Sequence, residues 1–226
     1  YEDASFADLL RAVAAVDGVE RIRFTSPYPV DFTDALIATM AELDKVCPYI
    51  HLPVQSGSDR MLTAMKRGYS RAEFVALVGK LRAAMPEVAL STDLMVGFCG
   101  ESDADHAETL SLMREITFDS AFMFRYSDRQ ITYASRKLQD DVPDEVKGRR
   151  LQDVIDLQEQ HTRASHQARV GRREEVLISG LSHRGDRVLG RTPRFQSVLM
   201  PLGTGEPGQR VTVEITGTTG HSLIAG

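Results

Sequence analysis

Cysteine is scarce in this 226-residue chain. Only Cys47 and Cys99 are present, in no CxxC pair and with no Cys/His spacing suited to a metal. That excludes a disulfide framework, and two buried thiols are the expectation. No apolar run approaches the roughly 20 residues of a membrane span, and no secretory leader is visible, so the reading is a cytoplasmic protein with no membrane partner. The six histidines form no HxxxH or HExxH pattern. Aromatics run out early: beyond Tyr133 the only one is Phe195. The chain starts on Tyr1 rather than Met, which suggests a fragment or a processed product.

What is present is a core, and 42% hydrophobic content over this length can fill one large domain or two smaller ones. The net charge of −5 hides an asymmetry. Residues 1–146 hold 15 Lys and Arg against 24 Asp and Glu, whereas residues 147–194 hold 11 against 6, nearly all arginine. A basic segment in an acidic protein fits a polyanion partner, and arginine suits phosphate because its fork binds bidentately. The alternative is a solvated helix face.

The first two-thirds alternates helical and extended patterns. Helices are expected over Ala4–Val16, Asp34–Leu43, Ser58–Met65, Arg71–Ala84 and Asp103–Glu115, and strands over Glu20–Phe24, Tyr49–Val54, Val88–Val96 and Ser120–Phe124. Four strands alternating with helices imply βαβ units and a parallel sheet, too short for a closed eight-stranded barrel. A polar helix is expected over Asp144–Arg169. Five short β-rich runs follow, Val176–Ser179, Val188–Gly190, Ser197–Met200, Val211–Ile215 and Ser222–Ile224, which suggest a small barrel of the oligonucleotide-binding kind. The fold expected is therefore α/β, an incomplete TIM-like barrel of parallel strands, then a small all-β barrel. Its parts are 1–143, a linking helix over 144–169, and 170–226.

The most informative stretch is His51-Leu52-Pro53-Val54-Gln55-Ser56-Gly57-Ser58-Asp59-Arg60, closed by Met65-Lys66-Arg67-Gly68-Tyr69. An apolar strand ends in polar residues and a helix starts at once, which is how parallel α/β proteins deliver side chains to a site at strand carboxyl ends. Asp93 sits inside an apolar strand, costly unless its carboxylate accepts hydrogen bonds. His51, inside a strand, reads as a satisfied interior histidine rather than an acid/base.

These residues carry a resemblance. Arg21-Ile22-Arg23-Phe24-Thr25-Ser26 with Pro29, the stretch from His51 to Ser70, Ser91-Thr92-Asp93 with Gly97-Phe98 and Gly100-Glu101, and Asp140-Asp141-Val142-Pro143 resemble the radical-SAM methylthiotransferases. The likeness is greatest to the branch that makes 2-methylthio-N6-isopentenyladenosine at position 37 of tRNA. Val170 to the end, with Gly190-Arg191-Thr192, is similar to that family's TRAM domain, an RNA-binding barrel. The resemblance implies S-adenosyl-L-methionine (SAM) and two [4Fe–4S] clusters as cofactors, tRNA as partner, and an electron donor such as flavodoxin or ferredoxin. The family's CxxxCxxC motif is missing, and Cys47 and Cys99 match no cluster ligand. The chain is thus expected to be a C-terminal portion that is inactive alone and carries no catalytic residue of its own.

By the same resemblance, Gln55, Ser56, Arg67 and Asp93 are SAM contacts. Gln55 and Ser56 would meet the ribose or methionine part, Arg67 the methionine carboxylate, and Asp93 the ribose hydroxyls. Tyr126 and Arg129 are candidates for a substrate pocket. There Gln130-Ile131 replaces the family's Pro-Gly, and Cys99 stands where the family usually has proline. Arg191 and Arg194, flanking Thr192-Pro193, are the candidate RNA contacts, through phosphate rather than stacking. The alternatives are a methylthiotransferase acting on a ribosomal protein or another modified tRNA adenosine, a non-catalytic RNA-binding module, and, more weakly, a metabolic barrel enzyme with an appended β-domain.

Overall fold

The computed structural model describes residues 4–25, 28–129 and 132–226. The chain divides into two compact units, Tyr1–Val46 with Ile50–Gln158, and Cys47–Tyr49 with Glu159–Gly226. In the first, helices α1 (Phe6–Ala14) and α2 (Asp34–Glu42) precede strand β1 (Tyr49–His51). Then come α3 (Asp59–Ala64), α4 (Arg71–Ala84), β2 (Ala89–Val96), α5 (Asp103–Ile116), β3 (Ser120–Arg125), α6 (Tyr133–Lys137) and α7 (Asp144–Gln167), the last running on into the second unit. Three helix starts are written in the sequence as capping boxes: Ser5 with Asp8, Ser70 with Glu73, and Ser102 with Asp105.

The sheet order is β1-β2-β3, with β2 and β3 parallel in the register Asp93↔Phe122. Alternation sends Leu90, Leu94 and Val96 to one face of β2, where they are fully buried with Leu52, Val54, Leu112, Met113 and Phe118. The opposite face carries Ser91, Asp93 and Met95, and on β3 Phe122 and Phe124, which are 59% and 49% exposed.

Three strands form where four were expected. The Glu20–Phe24 segment makes only a single parallel bridge, Ile22↔Val46. The neighbouring segment runs straight into Pro48, which has no N–H to extend the ladder. Strand β1 is also shorter than the expected Tyr49–Val54. Pro53 lacks a donor and Gln55 turns to φ 72°, out of extended geometry, although Gln55 still bridges Leu94 in parallel. Helix α6 was not expected; Thr132 caps it by accepting from the Ser135 amide. The Gln130-Ile131 departure lies outside the described residues.

The second unit is a closed barrel of β4 (Arg173–Leu181), β5 (Val188–Arg191), β6 (Ser197–Met200), β7 (Arg210–Thr218) and β8 (Leu223–Ala225), ordered β4-β5-β6-β8-β7. All its pairings are antiparallel except β6 with β8. Its interior is Val176, Ile178, Val188, Val198, Met200, Ile215, Leu223 and Ala225. Each of the five expected β-rich runs falls on one of these strands.

Candidate functional site

The turn after β1 is held by backbone geometry that few residue types accept. Gln55 sits at φ 72°, a left-handed conformation that costs a non-glycine residue of order 1 kcal/mol or more. Gly57 admits no side chain: a Cβ there would lie 2.5 Å from the Glu108 carbonyl oxygen of α5. This close approach turns Ser56 inward. Ser56 is fully buried, its Oγ 3.1 Å from Thr109 Oγ1 and accepting from the Ser58 amide at 3.2 Å. Ser58 does not cap α3 with its side chain; its hydroxyl donates to Asp105 at 2.6 Å.

Asp105 is the anchor under this turn. Burial pushes its carboxyl up, but hydrogen bonds from Arg60, Ser102 and Ser58 outweigh that and hold it below the usual carboxylate range. Arg60 also donates to the Gly100 carbonyl at 2.7 Å, so one side chain ties α3 to α5 and to the loop before it.

Above the turn lies a cavity of about 530 Å³, of a size that suits a small-molecule ligand. Its lining brings together Gln55, Arg67, Asp93, Tyr126 and Arg129, five of the six residues expected there, and leaves Ser56 out. The Ser56 hydroxyl is instead spent inside the turn, on Thr109 and the Ser58 amide. Sequence reasoning missed Lys66, Met95, Phe98, Arg125 and Tyr133, which also line the cavity. Lys66 is held at φ 57° with its ammonium 3.3 Å from the centre of the Tyr133 ring. Four cationic side chains thus face one carboxylate, Asp93. Among the described residues no carboxylate pairs with Arg67, Arg125 or Arg129, and such a surplus favours an anionic ligand group.

Asp93 is partly buried, its side chain 26% exposed. Gln55 Nε2 donates to its Oδ2 at 3.4 Å, and His51 Nε2 stands 3.3 Å from its Oδ1. Both contacts are long, so the carboxylate keeps acceptor capacity toward the cavity. The hydrogen bonds expected for a carboxylate in this strand are only partly supplied by protein.

The Gly97–Glu101 loop is braced from behind. Gly97 is at φ 70°, and a Cβ on it would lie 2.3 Å from Lys147 Cγ, so the close approach here is to α7. Glu101 Oε1 accepts from the Gly97 amide and from Arg150 Nη1, each at 2.9 Å, while burial pushes its carboxyl up. Lys147 is clamped by both Asp140 oxygens at 2.6 and 2.7 Å. Tyr126 packs edge-on against Phe98 at 5.1 Å, and burial pushes its hydroxyl up to about 12. Tyr126 is buried and also lines the cavity.

In the barrel, Arg191 closes β5 and lies 4.2 Å over the Phe195 ring, while Nη1 donates to the Phe195 carbonyl at 3.2 Å. Arg194 stands in the turn between, half-buried, and Thr192 at its base is fully buried. The Arg191–Phe195 stack was not read from the sequence, though the four-residue spacing across a Thr-Pro turn was a usable signal.

Comparison with known proteins accounts for both units. Residues 3–113 match the radical SAM superfamily and residues 167–226 the TRAM domain. The chain is 47% identical over 98% of its length to the tRNA-2-methylthio-N(6)-dimethylallyladenosine synthase of Chlorobium limicola, covering 50% of that protein. It is 44% identical over 96% of its length to the human mitochondrial tRNA methylthiotransferase CDK5RAP1, covering 38% of it. The chain thus spans about half the length, or less, of the relatives it matches. Among solved structures it is similar in fold to coproporphyrinogen III oxidase (HemN) from Escherichia coli, a radical SAM enzyme. The TM-score is 0.51 at 17% identity, over 73% of this chain and 45% of that one.

Proposed function

The chain belongs to the radical-SAM methylthiotransferases, and on that premise we propose that its cavity holds SAM in an enzyme that methylthiolates an N6-isopentenyladenosine of tRNA. The observation that carries this reading is the convergence of Gln55, Arg67 and Asp93 on one cavity. Arg67, with no carboxylate partner among the described residues, meets the methionine carboxylate, a bidentate task for a guanidinium. Asp93 accepts from the ribose hydroxyls, and Gln55, locked at φ 72°, holds the edge of the same group. Phe98, Met95 and Phe124 give the cavity apolar lining. Tyr126 and Arg129 face the substrate adenosine, with the surplus cations Lys66 and Arg125 meeting RNA phosphate at the mouth.

When bound, SAM supplies the one-carbon unit and the means to activate an unreactive C–H bond. The [4Fe–4S] clusters of the family do not fit the residues of this chain. Cys47 and Cys99 are separate buried thiols, and no group of three His, Cys, Asp or Glu among the described residues is arranged to hold a metal. The cluster ligands and the electron-donor contact lie, in this reading, elsewhere in the enzyme. In this reading the three-stranded sheet is a section of an incomplete TIM-like barrel over residues 1–143. Residues 144–169 link it to the RNA-binding barrel of residues 170–226. No helix among the described residues is long and apolar enough to cross a membrane.

Calorimetry on the intact enzyme tests the SAM site. Asp93→Ala is expected to weaken SAM binding by about 1–3 kcal/mol, the range of a lost hydrogen bond to a charged group. Unchanged affinity would make Asp93 a structural residue and remove the reading's main support.

A further inference from the structure

His51 lies on the same face of the sheet as Asp93, one strand away, and its ring is almost enclosed, with the side chain 13% exposed. Three contacts fix it. Nδ1 is 2.8 Å from Ser91 Oγ, Nε2 is 3.3 Å from Asp93 Oδ1, and the ring stands edge-on to Phe122 at 5.7 Å and 77°. An ionised carboxylate only accepts, so the Nε2 edge facing it presents the N–H, and the Ser91 hydroxyl occupies the other ring nitrogen. A histidine needed only for core packing would not have to aim one nitrogen at the carboxylate that, alone among the described residues, lines the cavity.

We infer that His51 is a positioning residue: with Ser91 behind it, it braces the Asp93 carboxylate in the orientation that accepts the vicinal hydroxyls of a ribose in the cavity. The inference rests on the assignment of Asp93 to the ribose made above. The geometry carries it in two steps. Oδ1 is backed by His51 and Oδ2 by Gln55, so the carboxylate plane is set from both sides. Each contact takes one acceptor position of its oxygen, and a carboxylate offers about four, so positions remain on both oxygens for a diol. His51 itself is absent from the cavity lining and touches no ligand; it acts through Asp93.

The test measures ligand discrimination on the intact enzyme, using S-adenosylhomocysteine and its 2′,3′-dideoxy analogue in calorimetry. The parent is expected to prefer the diol by about tenfold, the low end of one hydrogen bond to a charged group. Asp93→Ala removes that preference. His51→Leu, which keeps apolar packing against Phe122, cuts it to about twofold and leaves affinity for the dideoxy ligand unchanged. His51→Gln, which returns an N–H to the same direction, restores most of it. If His51→Leu does not fold, Ser91→Ala carries the same test, with a loss of about threefold in the preference expected. A merely structural histidine would weaken both ligands alike. That outcome, or full preference in His51→Leu or Ser91→Ala, overturns the proposal. Full preference in Asp93→Ala would overturn the ribose assignment itself, and this proposal with it. The double variant His51→Leu with Asp93→Ala should discriminate no worse than Asp93→Ala alone, since the two residues act as one unit.

Discussion

The two β structures of this chain use their inward faces in opposite ways. The barrel closes on itself and fills its interior with Val176, Ile178, Val198, Met200, Ile215 and Leu223, each 2% exposed or less. No strand edge remains to be managed, and whatever the barrel binds must meet its outside. The sheet is open and gives only one face to packing. Leu90, Leu94 and Val96 are buried against helices, while Ser91, Asp93 and Met95 on the same strand turn to the other side. A strand in which every second residue builds stability and the others build a site puts the site on a rigid support. The cost is a carboxylate in a half-buried place, kept there by His51 and Gln55.

The largest expected effect breaks this comparison at the core. Leu94→Ala removes a fully buried side chain between helix and sheet and is expected to destabilise by about 2–5 kcal/mol. Its neighbour Asp93→Ala should cost far less stability and instead weaken ligand binding. Denaturant titration of both variants checks it. Equal losses of stability would mean that the two faces of β2 are not divided between packing and binding.

A smaller effect concerns the anchor beneath the Gln55 turn. Asp105 is 5% exposed and its carboxyl is held low by Arg60, Ser102 and Ser58 against the upward push of burial. A carboxyl depressed in the folded state adds stability that is complete above its unfolded value, about 3.9, and is lost as pH falls below that. Asp105→Asn is expected to cost about 1–3 kcal/mol at pH 7 and progressively less below pH 4. The measurement is urea unfolding at several pH values. A constant difference between parent and variant across that range would show that Asp105 works through shape rather than charge.

How much of this was legible in the sequence follows from how local each signal is. The capping serines Ser70 and Ser102, each three residues before an acid, mark α4 and α5 within two residues of their observed starts. The barrel strands were legible because short alternating runs are separated by turn glycines. The Glu20–Phe24 strand was overread because its failure depends on Pro48, in a segment that becomes its neighbour only in the fold. Gln55 stood out as a polar residue at a strand end and Asp93 as a carboxylate inside an apolar strand, whereas Arg67, which follows α3, came only from the family resemblance. The inward turn of Ser56 was not legible, because it depends on the packing of Gly57 against the Glu108 carbonyl. The His51–Asp93 contact was hidden for the same reason: it depends on the pairing of two strands 40 residues apart, and no single stretch of sequence encodes it.

The barrel's exterior offers the finest test of the comparison. If its apolar interior leaves binding to the outside, RNA affinity from this unit should come from cations against phosphate, since Phe195 is the one aromatic after Tyr133 in the sequence. Arg191 and Arg194 frame the turn that carries Phe195, and Arg191 is already stacked on its ring. Replacing both arginines with Ala should flatten the dependence of log affinity on log salt by roughly one to two units, because each phosphate contact releases close to one counterion. The change should be similar for cognate and non-cognate tRNA, since phosphate carries no sequence information. Fluorescence anisotropy across a salt series reads the slope directly. A double variant that keeps the parent slope would move the RNA contacts away from this turn, to Lys66 and Arg125 at the cavity mouth. One that loses cognate binding selectively would mean that the Arg191–Phe195 stack reads a base, and that the barrel's outside does more than hold the backbone.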